Sequence, residues 1–133
     1  MEYTKQTIEL LKWSIENSNS LWTYLHLAVI ATVAAAWAIR GNVKTYWPSL
    51  GIAAAYLVFA LGNLWVLARN QDAASAALAA LLHSLRTSAP DSPLTAAAAA
   101  INVVPAPHVI AYHLFIDVAV VAAILLIGRV RGK

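Results

Sequence analysis

The chain has 133 residues, of which 61% are hydrophobic and 11% charged, whereas soluble domains carry about a quarter charged residues. That leaves too few polar side chains to cover a surface facing water, so lipid is the expected solvent. The net charge of +3 comes from nine Lys and Arg scattered at the ends of apolar runs, a topology pattern and not a nucleic-acid surface, and the lack of cysteine excludes disulfides, thiolate metal sites and cysteine nucleophiles.

Residues 1–19 place Ile8, Leu11 and Ile15 on one helical stripe, with Glu9, Lys12 and Glu16 elsewhere. This is the pattern of an amphipathic surface helix, expected to lie along the outer membrane face or against the other spans. Ser18, Asn19 and Ser20 then offer a cap for a first span over 21–39. Ala36-Trp37-Ala38 fits a signal-peptidase pattern, but the apolar run is longer than a signal core and is read as a span. A second apolar run covers 50–68 and a third 109–127. Each is long enough to cross roughly 30 Å of hydrocarbon. Trp22 and Trp37 bracket the first run, Trp47 and Trp65 the second, and Tyr112 stands near the start of the third, as expected of rings at headgroup level.

Residues 70–108 form the expected external helical connection. Asp72 is placed to cap a helix over 73–86, with Leu78, Leu81, Leu82 and Leu85 at helical spacing. Its other faces are mostly alanine, so it is expected to pack on protein or headgroups instead of crossing. Ser92 caps, and Pro93 begins, a short helix over 94–102, and Pro105 and Pro107 lead into the third span. The expected fold is all-α: an integral membrane three-helix bundle forming one domain, residues 1–133.

Orientation follows from the basic residues. Arg40, Lys44, Arg129, Arg131 and Lys133 share one side with no acid, while Lys5, Lys12, Arg69 and Arg86 share the other with Glu2, Glu9, Glu16, Asp72 and Asp91. The undiluted set predicts a cytoplasmic C-terminus and an outside N-terminus in a plasma or bacterial inner membrane.

Because the spans alternate in direction, depth can be counted at about 1.5 Å per residue. His26, Asn63, His113 and Asp117 all fall in the same outer third, Asp117 about 12 Å in. His113 and Asp117 are four apart and share a helix face. A span carboxylate costs roughly 2.5–3.5 kcal/mol on insertion scales, so Asp117 is expected to turn inward and find a partner. The four residues form either an ion or proton site or a set of interhelical hydrogen bonds, with Ala31/Ala35, Gly51/Ala55 and Ala119/Ala123 permitting close approach.

His26 and His113 could also serve as two axial ligands of a b-type haem. The stretch from His108 through Tyr112 and His113 to Asp117 resembles the histidine-rich span of succinate dehydrogenase membrane anchors, which also have three spans. It lacks that family's arginine before the second histidine and its serine–arginine quinone pair, so no residue role carries over. His26, His113 and Asp117 have suitable donors for a metal, but at no known motif spacing. Hydrolase motifs and phosphate-binding glycine loops are missing. The chain is therefore read as a non-enzymatic membrane protein without a cofactor. It would be a homo-oligomeric channel or an accessory subunit of a larger membrane complex. The alternatives are a haem- or quinone-binding redox anchor and an immunity-type protein that meets its partner through 70–108.

Overall fold

The computed structural model describes residues 2–40, 45 and 47–129; Lys44, Arg131 and Lys133, used above for orientation, lie outside them. Four helices follow in order: α1 (Glu2–Ile39), α2 (Trp47–Ser88), α3 (Pro93–Ala99) and α4 (Ala106–Arg129). The described residues contain no strand. α1, α2 and α4 are long and apolar enough to cross a membrane, as the composition requires.

Two expected breaks are absent. The amphipathic segment 1–19 does not lie apart on a surface, since α1 runs unbroken through it into the first span. Ser18, Asn19 and Ser20 do not cap a helix: Ser20 Oγ and Thr23 Oγ1 donate to the carbonyls of Glu16 and Asn19 one turn back, which removes their competition with the helix. Likewise α2 continues through Asp72. With 38 and 42 residues, α1 and α2 are about 57 and 63 Å long, twice the hydrocarbon thickness. They therefore continue beyond the spans as a two-helix stalk, while α4, with 24 residues, is about 36 Å long and spans once.

The reason these helices stay together is a seam. From Ser49 to Leu81 the buried positions of α2 advance alternately by four and three residues: Ser49, Ala53, Tyr56, Ala60, Asn63, Leu67, Asn70, Ala74, Ala77 and Leu81, with Gln71 added beside Asn70. A repeat of 3.5 residues keeps one stripe facing its partner along a left-handed pair. In the stalk, Leu11 packs with Ala74, Ala77, Leu81 and Leu85, and Ala98 of α3 closes the end. Ser92 caps α3 as expected, its Oγ accepting from the Thr95 amide at 3.2 Å. In the spanning half, Ala36 meets Ala53, Tyr56, Ala60, Val120 and Ile124.

The small residues expected to bring helices together mostly do not. Ala31, Ala35, Gly51, Ala55 and Ala119 are exposed. The 3.5-residue stripe turns Ala36, Ala53 and Ala60 inward instead. α2 and α4 also approach closely at Gly128, where an added Cβ would collide with the Ser49 side chain.

Candidate functional site

Every seventh residue of the α2 seam from Ser49 to Asn70 is polar: Ser49, Tyr56, Asn63 and Asn70. Three of these reach across to another helix and so define two polar layers.

The layer inside the spans joins α2 to α4. Tyr56 donates its hydroxyl to Asp117 Oδ1 at 2.8 Å, and Asp117 Oδ2 lies 2.8 Å from His113 Nδ1. Asn63 Nδ2 lies 3.3 Å from His113 Nε2. When Asp117 is ionised it only accepts, so Nδ1 then carries the proton, and a neutral imidazole accepts from the Asn63 amide at Nε2. Rotating that amide by half a turn would present its oxygen to an Nε2–H, so Asn63 can serve either protonation state of the ring. His113 is fully buried and Asp117 nearly so. α1 supplies a lid: the Trp22 ring centroid is 5.8 Å from His113 and 5.8 Å from Tyr112.

The second layer ties α2 to α1 at the base of the stalk. Asn70 donates to Ser18 Oγ at 2.6 Å and to the Ser14 carbonyl, and Gln71 donates to Ser18 Oγ at 3.2 Å. Fully buried Leu67 stands between Asn63 and Asn70 on α2. On the other side of Asp117, Val120 and Ile124 join Ala53 and Ala36 in a dry core. Each polar layer is thus flanked by apolar packing.

Of the four residues singled out by depth, Asn63, His113 and Asp117 come together. His26 does not: it is exposed, one position past buried Leu25, with its ring 6.4 Å from Trp22. Tyr56 and Trp22, not expected at the site, take part in it. The seven-residue recurrence of polar side chains was the signal for Tyr56. No comparable signal marked Trp22, which reads equally well as an interfacial ring.

Haem ligation by His26 and His113 does not fit this geometry. Both ring nitrogens of His113 have partners, the ring has no exposed surface, and His26 is exposed. Nor do three His or acidic side chains converge as metal ligands among the described residues.

Arginine and tryptophan pairs mark both ends of the spans. Arg40 lies 3.6 Å from the Trp37 ring centroid and Arg69 lies 4.7 Å from that of Trp65, with the indoles exposed as expected at headgroup level. Along α2, Trp47 and Trp65 are about 27 Å apart, close to the hydrocarbon thickness.

No protein-family model, curated protein or solved structure matches this chain.

Proposed function

We propose that the chain is a non-enzymatic accessory subunit of a membrane complex, with its spans anchoring a helical stalk that a partner recognises. The observation that carries this reading is that Tyr56, Asn63, His113 and Asp117 use their hydrogen bonds on one another. A conducting path within one copy would need polar groups facing water, but Asp117, His113, Asn63 and Tyr56 are buried between apolar layers. The outward faces of α2 and α4 carry Leu57, Val58, Leu61, Phe115 and Val118, so a pore lined by them between copies would be dry. Both considerations favour the accessory role over the channel.

The stalk is suited to meeting a partner. Its outer face carries the pairs Lys5–Glu9 and Lys12–Glu16, which need water. Leu10 and Trp13 on one flank and Ile8 and Ile15 on the other are exposed apolar residues. The basic end, with Arg40 and Arg129, is assigned to the cytoplasm of a plasma or bacterial inner membrane, with the stalk outside.

Purification of the full chain from native membranes in mild detergent, with the particle mass and copurifying proteins measured, tests the reading. A complex with a second protein that is lost on Trp13→Ala is the expected result. A homo-oligomer that conducts ions in planar bilayers, with conductance abolished by Asp117→Asn, would overturn it in favour of the channel.

A further inference from the structure

A groove of about 420 Å³ opens sideways between α2 and α4, within the roughly 300–1,000 Å³ of small-molecule sites. Leu57, Leu61, Leu114, Val118 and Leu125 line it, and Asp117 lies in its wall. Asp117 is the only acidic residue in the three spans, and residues 21–39, 50–68 and 109–127 contain no Lys or Arg. With Asp117 ionised and His113 neutral, the state in which Nε2 accepts from the Asn63 amide, the cluster carries a negative charge with no opposite charge beside it. An ion so placed in apolar surroundings is costly and favours capture of a cation. The carboxylate has acceptor capacity left, because Tyr56 and His113 take one site on each oxygen and a carboxylate offers about four.

We propose that this groove binds a lipophilic ammonium from the lipid phase, its N–H on the Asp117 carboxylate and its apolar body along Leu57, Leu61, Leu114 and Val118. The depth of about 12 Å separates this ligand from lipid headgroup amines, which sit at the surface. Asp117 is faced by His113 on its own helix and Tyr56 on α2, while Asn63 of α2 and the Trp22 ring of α1 lie against His113. The site is independent of whether the chain serves a larger complex.

The experiment uses the full chain in phosphatidylcholine nanodiscs and radiolabelled dodecylamine as probe, with empty nanodiscs subtracted. Dodecanol, of equal chain length but uncharged, is the competitor. Saturable binding of about one dodecylamine per chain, resisted by excess dodecanol, is expected. Asp117→Asn should weaken it at least tenfold. Ala122→Phe, which fills the groove and leaves the cluster intact, should do the same and remains decisive should Asp117→Asn not fold. Displacement by dodecanol as effective as by unlabelled amine would overturn the proposal by making the groove an acyl-chain crevice. Unchanged binding in folded Asp117→Asn, unchanged binding in Ala122→Phe, or no saturable binding would overturn it equally.

Discussion

The stalk and the spanning half share one α2 seam but sit in different solvents, and their side chains differ accordingly. In the stalk, Leu11, Leu81 and Leu85 are buried against alanine while Lys5, Glu9, Lys12 and Glu16 face outward. Burial there removes apolar surface from water and is driven by the hydrophobic effect. In the spanning half the outside is as apolar as the inside. Association must therefore come from close packing and hydrogen bonds, because lipid tails solvate leucine as well as a protein core does. Accordingly the interior there holds Asp117, His113, Asn63 and Tyr56, and the outside holds Val58, Phe115 and Val118. A seam can thus keep its period across a membrane boundary while its source of stability changes from solvent exclusion to polar pairing.

The comparison breaks if the two halves respond alike to substitution. The largest effect is expected from Asp117→Leu, which leaves the Tyr56 hydroxyl and the His113 Nδ1–H buried without an acceptor. Losing one partner of a buried pair costs about 3–5 kcal/mol, and a fall in thermal stability in detergent checks it. Asp117→Asn should keep most of that stability. Its amide oxygen still accepts from Tyr56, its NH₂ can donate to a His113 proton-free at Nδ1, and the Asn63 amide turns to accept from Nε2–H.

In the stalk, Leu81→Ala should cost about 2–5 kcal/mol, the usual range for a buried leucine in water. Hydrogen exchange should show the loss as faster exchange in 4–18 and 73–88 with the spans unaffected. Leu67→Ala, on the same stripe but among the spans, should cost distinctly less, because only packing is lost. Equal costs at 67 and 81 would contradict the division between the halves.

How far the sequence revealed this architecture depends on what each signal measures. Apolar run length located the spans, and helical leucine spacing marked Leu78, Leu81, Leu82 and Leu85, of which Leu81 and Leu85 are buried and Leu78 and Leu82 partly so. Capping residues misled at Ser18 and Asp72, because a serine can cap a helix or, inside one, accept from Asn70 and Gln71 of a neighbour. Only the partner helix decides between the two. Depth counting grouped Asn63, His113 and Asp117 correctly, yet it fixes height and not rotation. His26 follows buried Leu25 by about 100° around the helix and so turns outward. Tyr56 is marked only by the seven-residue recurrence of polar seam positions, since an aromatic ring in a span suits lipid as well as a core.

A smaller effect, about 1–3 kcal/mol as for overpacked sites, is expected of Gly128→Ala, whose new methyl meets the Ser49 side chain. Ser49→Ala should not rescue it, because the Ser49 Cβ would itself lie 2.7 Å from the added carbon; Ser49→Gly should. A double-mutant cycle on thermal stability measures this coupling. The smallest effect belongs to Lys12→Ala. Its pair with Glu16, at 3.8 Å on the exposed face of the stalk, should leave stability in detergent unchanged within about 0.5 kcal/mol at moderate salt.

Tyr56, Asn63, His113 and Asp117 form one buried hydrogen-bonded chain within a single copy. The direct measurement is nitrogen NMR of ring-labelled His113 in bilayers, with His26, His83 and His108 replaced by Gln. The account predicts a neutral ring with its proton fixed on Nδ1, bonded to Asp117, and a reversal to Nε2–H in Asp117→Asn. Rapid exchange between the two tautomers with water, unaltered by Asp117→Asn, would place His113 in a hydrated cavity and contradict it.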